Sequence, residues 1–415
     1  MKILMLSSTF PYPPSRGGTE IRTFNLLKYL HQQHHQITLV TQRHAQVRDA
    51  EVAALREWVT DLQVFPLPPD PMSQGLRGKL GRFGTSLIQG TPPNVLQRYC
   101  PEIQQFVDRA VAGKKCQIIT CEHSVNEIYV RPEFRQSVGT VVDVHSSVYA
   151  WTRNHLEMGA SQNPLRDRLY LPLLYNYEKH YSAKFSQIVV TTEDDRQQFQ
   201  EFCPGAKIDT IPNGVDLELF RDRQRDPSNH RLVFAGAMDA SHNIDAARWF
   251  ALSVLPLLTK HYPDVTFAIV GARPGLEVME LQNIPGVVVT GKVDSMGDEL
   301  HRAAVCVVPL RTGYGIKNKT LEAMAAGVPV VASDRGLEGL AVDGDGVPLR
   351  ALRANRIEEY VQAISRLFDD SRLRKNLSRQ GRSLIETEYT WDTAGKRYEQ
   401  VLSELLIGGL STHEQ

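Results

Sequence analysis

Short apolar runs rich in β-branched residues alternate with longer stretches of helical spacing along nearly the whole chain. In the first half, runs at 2–7, 37–41, 62–66, 116–121, 138–143, 187–192 and 207–211 read as strands. Helical spacing separates them at 19–33, 101–113, 163–183 and 193–202. The alternation breaks at 211–230, IPNGVDLELFRDRQRDPSNH, where Pro-Asn-Gly turn chemistry leads into a polar, strand-poor stretch. It restarts with strands at 231–236, 265–270, 286–291, 304–308 and 328–333, divided by helical patterns at 243–261, 295–303 and 318–326. Charged helical patterns fill 355–406. Such alternation predicts an α/β protein with two Rossmann-like, doubly wound parallel sheets covered by helices on both faces. The predicted domains run 1–210 and 211–388, with 389–415 as a last helix and tail. Open α/β sheets bind ligands beyond the carboxyl ends of their strands, so two such domains facing each other would hold chemistry between them.

Composition narrows the function classes. The 415 residues carry 47 Lys plus Arg against 47 Asp plus Glu, a formal net charge of zero. That excludes a basic nucleic-acid coat and leaves no global attraction to anionic membrane. The five cysteines form no CxxC pair, which points to reduced thiols rather than a zinc site or disulfide framework. The apolar start, Ile3 to Leu6, is too short for a signal-peptide core, and no run has transmembrane length. A cytoplasmic location is expected.

The residues just after the strands carry the candidate chemistry. Gly17 and Gly18 sit at the entry to the first helix, where glycine permits close backbone approach and free N–H groups attract an anion. A turn needing positive φ is the competing reading. No GxGxxG is present, which weakens a dinucleotide reading. VVDVHSS places Asp143 and His145 at a carboxyl edge, where a His can bond a sugar hydroxyl or simply be satisfied within the loop. ITCEHS brings Glu122 and His123 to a neighbouring edge as acceptor-side candidates. The most informative stretch is GYGIKNKTLEAMAAGVPVVASDRGLEG, residues 313–339. A Gly-rich turn leads into a small-residue helix starting near Asn318, stopped by Gly327. Its N-terminus, with Lys317 and Lys319 beside it, suits a diphosphate, and Glu322 on its first turns suits a ribose. A solvated Lys pair on an ordinary helix is the bland alternative.

This stretch resembles the donor-binding motif of retaining GT-B glycosyltransferases of family 4, the glycosyl-transferase group 1 type. The resemblance extends to the Gly pair at 17–18, His145, IPNGVDLELF at 211–220, FAGAMD at 234–239, FAIVG at 267–271 and GVVVTGKV at 286–293. It implies a GT-B fold with the last helix crossing back to the first domain. It also implies transfer of a sugar from a nucleotide-diphosphate donor to an acceptor hydroxyl, with retention and without a metal or other cofactor. The implied donor-binding residues are Gly17, Gly18, Gly236, Val293, Tyr314, Gly315, Asn318, Thr320 and Leu321. His145, Lys317, Lys319 and Glu322 form the expected catalytic group. By fold-level analogy the acceptor is a glycan or lipid-linked carrier of polysaccharide or cell-envelope synthesis.

Three positions depart from the family pattern. Tyr314 replaces the first Glu of the paired-Glu motif, and Ala237 and Asn243 stand where the family has a phosphate-binding Arg and Lys. Lys317 and Lys319 are natural replacements for that pair. The departures keep a binding-only protein in view, beside a nucleotide-sugar epimerase and a nicotinamide oxidoreductase. Asp343-Gly344-Asp345 reads as a surface turn rather than a metal-binding DxD. The stretch 71–100 carries Arg77, Lys79, Arg82 and Arg98 and no acid, with Leu76, Leu80, Phe83, Leu87 and Ile88 near helical spacing. It reads as a peripheral membrane contact on the inner face or as a loose acceptor-side segment. Gly75, Gly78, Gly81 and Gly84 favour the second, each costing a helix about 1 kcal/mol.

Overall fold

A computed structural model describes residues 1–14, 17–68, 90–159, 161, 163–313 and 315–410, with backbone alone at 408–410. The chain separates into two compact units, Met1–Pro212 with Ala394–Gln415, and Asn213–Thr393. Tyr314 and most of the basic stretch 71–100 lie outside the described residues.

The first unit holds seven strands: β1 (Lys2–Ser7), β2 (Gln36–Arg43), β3 (Asp61–Pro66), β4 (Ile118–Glu122), β5 (Gly139–Val144), β6 (Gln187–Val190) and β7 (Ile208–Thr210). They pair in parallel in the order β3-β2-β1-β4-β5-β6-β7. Its helices of eight residues or more begin with α1 (Gly18–Gln32), α2 (Asp49–Arg56), α3 (Pro101–Ala112), α4 (Val148–Glu157), α5 (Pro164–Ser182) and α6 (Glu193–Phe202). The sequence pattern missed α2 and α4. Helix α2 buries only Glu51 and Leu55, too little for a periodic signal. Helix α4 is started from a distance: Glu178 on α5 accepts hydrogen bonds from Ser147 Oγ at 2.6 Å and from the Val148 N–H at 2.7 Å.

The second unit holds β8 (Arg231–Ala235), β9 (Thr266–Val270), β10 (Val287–Gly291), β11 (Val305–Val308), β12 (Val330–Ala332) and β13 (Leu352–Arg353). Their order is β10-β9-β8-β11-β12-β13, again all parallel. Its longer helices are α7 (Ser241–Trp249), α8 (Asn318–Ala325), α9 (Ile357–Asp369) and α10 (Ser371–Glu388). Helix α11 (Trp391–Leu410) starts here and runs into the first unit's segment. The single helix expected over 243–261 is broken by a π turn at Phe250–Val254 before helix resumes at Leu255–His261. Pro256 has no N–H for the i−4 ladder, so the hydrogen bonding shifts there. The central strands are buried on both faces, which is why VCVV of β11 reads as a continuous apolar run.

Strand order reverses between β1 and β4 in one sheet and between β8 and β11 in the other. These switch points, where successive connections leave to opposite faces, are where open α/β sheets bind ligands. Among the described residues no helix is long and apolar enough to cross a membrane.

In the second unit the residues at 213–215 run beside those at 389–391. The Val215 N–H donates to the Tyr389 carbonyl at 2.8 Å, and Val215 bridges Thr390. A Cβ at Gly214 would fall 2.4 Å from the Trp391 amide nitrogen, a backbone atom that cannot swing aside. Gly214→Ala is therefore expected to lose about 1–3 kcal/mol in urea unfolding; an unchanged midpoint would mean the two segments separate freely.

Candidate active site

In the second unit, β8 runs out at Ala235 and the chain turns at Gly236, with φ +158°. A Cβ there would lie 2.8 Å from Asn243 Nδ2 and 2.9 Å from Lys319 Nζ. The glycine thus lets two side chains close over the end of the strand. Lys319 Nζ donates to Asn243 Oδ1 and sits 4.7 Å from the centre of the Phe234 ring. Asn243 Nδ2 in turn donates to the Ala237 carbonyl at 2.8 Å.

Helix α8 follows β11, across the switch point from β8. No described side chain caps its N-terminus, so its first N–H groups stay open to an anion. The two lysines flanking that end differ. Lys317 is ion-paired with buried Glu338 at 3.1 Å and also donates to the Gly315 carbonyl. Glu338 further accepts from the Gly315 N–H at 3.1 Å. Lys319 has Asn243 as its neighbour, a neutral one. Burial lowers its pKa to about 7, helped by Lys317 and opposed by Glu322. Burial likewise raises Glu322 to about 7 against the pull of Lys319, and no hydrogen bond offsets it.

The remaining expected donor residues divide by what their side chains do. Asn318 Oδ1 accepts from Asn213 Nδ2 at 3.0 Å, tying the Pro-Asn-Gly segment to the start of α8. Thr320 donates to the Gly336 carbonyl at 2.7 Å, and Leu321 is fully buried in the core. Both N–H groups of these residues turn to the Lys317 carbonyl, so neither residue presents a free polar group. Val293 is half-buried against the same core. Asp343 of the DxD triplet is held by Arg353 at 2.8 and 2.9 Å beside Gly344, which has positive φ.

In the first unit, β4 and β5 pair so that Glu122 lies beside Asp143. Arg22 of α1 grips Asp143 with two hydrogen bonds of 2.7 and 2.9 Å, and both side chains are buried. Burial alone would raise the Asp143 carboxyl, but Arg22, with His145 adding to it, holds it well below the usual carboxylate range. Glu122 goes the other way. Burial, then the Asp143 charge, lifts it to about 8, while Tyr398 of α11 donates to it at 2.9 Å. His145 Nε2 lies 3.6 Å from Asp143 and has no hydrogen-bond partner among the described residues. His123 packs edge-on against His145 at 5.1 Å between ring centres. Its backbone has φ +79°, ψ +143°, a region nearly closed to residues with a Cβ, and such strain concentrates at functional sites. Burial, then His145 and Arg98, push the His123 imidazole down to about 3, so the ring is neutral. Glu122, Asp143 and His145 bring donor atoms within 4.8 Å of one another. A metal there would have to displace Arg22 from both Asp143 oxygens.

Gly17 caps the start of α1 in extended geometry, φ −173°, so left-handed backbone is not why glycine is there. A Cβ at that position would meet Glu20 Oε2 at 2.8 Å. Sequence reasoning missed Arg22, Glu338 and Tyr398. Arg22 carried a signal: it shares an i, i+4, i+8 stripe with Leu26 and Leu30, and a charge on an apolar stripe needs a buried partner.

The two buried carboxyls of this edge should respond differently to removal of charge. Asp143→Asn strands Arg22 and is expected to cost about 3–5 kcal/mol in denaturant unfolding. Glu122→Gln replaces a group already neutral at pH 7 and should cost far less. The native state holds the Glu122 proton longer than the unfolded chain does. This group therefore lowers stability as pH rises from about 4.5 to about 8. Glu122→Gln should flatten that limb, and equal losses for both variants would contradict the assignment of charge.

The comparisons agree with this fold. The chain matches Glycosyltransferase Family 4 over residues 16–219 and Glycosyl transferases group 1 over 229–370. It is 27% identical to an exopolysaccharide phosphotransferase of Streptomyces coelicolor over 53% of this chain, but spans only 23% of that protein. It is 21% identical to the lipopolysaccharide 1,2-N-acetylglucosaminetransferase of Salmonella typhimurium, over 67% of this chain and 76% of that protein. HepE of Anabaena, solved with UDP, superposes with a TM-score of 0.66 at 16% identity, over 97% of this chain and 100% of that one. The two family matches leave out only 1–15, 220–228 and 371–415, and with the shared fold they identify the chain as a GT-B glycosyltransferase of the group 1 / family 4 type.

Proposed function

We propose that the protein transfers a sugar from a nucleotide-diphosphate sugar to an acceptor hydroxyl with retention of configuration, in the synthesis of a polysaccharide or cell-envelope glycan. The observation that carries this is the start of α8: a lysine and a glutamate, both half-buried, both pushed to about 7, neither with an oppositely charged hydrogen-bond partner among the described residues. Such a pair is costly to fold and suits a ligand that brings an anion to one and hydroxyl groups to the other. The glycan class of the acceptor follows the named activity of the Salmonella relative. A lipid-linked acceptor would place the enzyme in the cytoplasm, peripheral on the inner face of the membrane.

In this reading the diphosphate lies over Gly236 and the open N-terminus of α8. Glu322 accepts hydrogen bonds from the ribose, and the backbone at Val293 contacts the base. The acceptor oxygen attacks the anomeric carbon from the face that the diphosphate leaves. The bond from that carbon to the phosphate oxygen breaks as the new glycosidic bond forms. The departing phosphate takes the acceptor proton. Negative charge grows on that phosphate, so Lys319 and the helix amides stabilise the transition state more than the ground state. Lys317 acts through Glu338 to shape the turn rather than as a free cation. His145 and neutral His123 serve the sugar and acceptor side. A second reading, a protein that binds the donor without turnover, draws on Ala237 and Asn243, which leave one cation, Lys319, where the family pattern has two.

Release of nucleotide diphosphate from a panel of UDP-, GDP-, ADP- and dTDP-sugars tests the proposal. One donor should turn over. Lys319→Ala and Glu322→Ala should each lower that rate by roughly 10²-fold or more, the scale of losing one group aimed at the developing charge. Asn243→Lys added to Lys319→Ala should restore part of the loss, because position 243 reaches the same point. Stabilisation by a donor with no release, with or without glycan acceptors, would favour the binding-only reading.

Donor affinity should also be bell-shaped in pH. It should rise as Glu322 ionises and fall as Lys319 loses its proton, with both limbs near pH 7. Glu322→Gln should remove the acidic limb alone. A flat profile between pH 6 and 8, roughly a unit either side of that value, would detach these groups from the donor.

A further inference from the structure

Helices α4 and α5 carry an unusual share of exposed apolar surface. Among the described residues, Trp151, Met158, Leu165 and Leu169 are exposed by 40%, 54%, 74% and 71%, all within one short stretch of chain. Helix α5 is anchored only in its second half, where Leu174, Tyr177, Glu178, Tyr181 and Ser182 are buried. From Pro164 to Leu173 no residue is fully buried. At about 100° per residue, Leu165, Leu169, Pro172 and Leu173 fall on one stripe of that free half. Arg168 falls on one edge, and Arg166 falls on the other, where it is ion-paired with Asp167 at 2.8 Å. Asp167 falls on the opposite side, where it accepts from Ser161 Oγ at 2.7 Å and is largely covered. The base is stiff, because Glu178 holds the first N–H groups of α4.

We infer that the free half of α5, with the adjoining end of α4, is a docking surface for an anionic lipid bilayer. An apolar stripe edged by arginines lies in the plane of a membrane interface, with leucines in the acyl boundary and guanidinium groups among the headgroups. A chain of zero net charge has no global pull toward the membrane, so attraction must come from a local patch of this kind. A second copy of the chain is the poorer occupant. Two copies meeting through this stripe would each bring Arg168, which has no partner among the described residues, to the same seam, whereas anionic headgroups satisfy it. The biological use of the surface rests on the proposed lipid-linked acceptor; the binding itself does not.

Co-sedimentation with vesicles tests it. The full chain should pellet with phosphatidylcholine–phosphatidylglycerol vesicles at low salt, remain in solution with phosphatidylcholine alone, and be released by salt. The variants Leu165→Ser/Leu169→Ser and Arg166→Glu/Arg168→Glu, checked for unchanged circular dichroism, should each bind roughly tenfold less. Both should keep soluble donor turnover. Three outcomes overturn the inference: wild type that never pellets, variants that pellet like wild type, or a concentration-dependent dimer that the leucine variant abolishes. Vesicle binding by a chain that turns over no donor would instead overturn the proposed function and leave the docking surface standing.

Discussion

Arg22 and Asp143 meet in the interior of the first unit with both charges buried and two hydrogen bonds between them. Neither charge is tolerable there without the other, since removing one partner of such a pair costs about 3–5 kcal/mol. The pair therefore fixes α1 against the carboxyl end of β5. Its effects spread along the sheet edge. Burial, with the ionised Asp143 adding to it, keeps the proton on the neighbouring Glu122, and Tyr398 holds that carboxyl from α11. The last helix of the chain is in this way registered against the fourth strand. His145 Nε2 lies 3.6 Å from the same Asp143 Oδ2 that Arg22 Nε holds.

The second unit treats charge in the opposite way. Lys317 is neutralised by Glu338, but Lys319 and Glu322 are half-buried without a direct ion pair among the described residues, and each is moved toward neutrality. Folding tolerates this because the rest of α8 is locked: Thr320 bonds the Gly336 carbonyl, Leu321 fills the core, and Asn318 is held by Asn213. Stability lost at two residues is recovered from their neighbours on the same two turns. Sites that must act on a ligand are where such local costs are expected.

The parallel architecture was legible because buried strands and amphipathic helices have different periods, and the chain keeps them separate almost throughout. The α8 region was legible because small residues, a stop glycine and an apolar run stand in sequence at 318–333. The partners of its charged groups were not. Lys317 and Lys319 look equivalent in KNK, yet Glu338 meets one and Asn243 the other, both from distant turns. Tyr398 reaches Glu122 across 276 residues, and no local pattern encodes that meeting. Helix α4 depends on a carboxylate of α5, and the π turn at 250–254 on one proline whose helical surroundings hid its effect.

Asn243 and Lys319 bear on how a family pattern should be carried over to a new chain. The motif places a cation at position 243, on the helix after β8; this chain has an amide there. The ammonium of Lys319 comes to that amide from α8, on the other side of the switch point, with Gly236 leaving room for both. A cation thus stands beside position 243, supplied by a different element of the sheet edge. The new origin is not neutral in its consequences. A lysine on the first turn of α8 acts together with that helix's open amides on one anion. Burial against Phe234 and repulsion from Lys317 bring its pKa down to about 7. A cation so placed is only partly charged until an anion arrives, so donor phosphate and proton would bind as linked events.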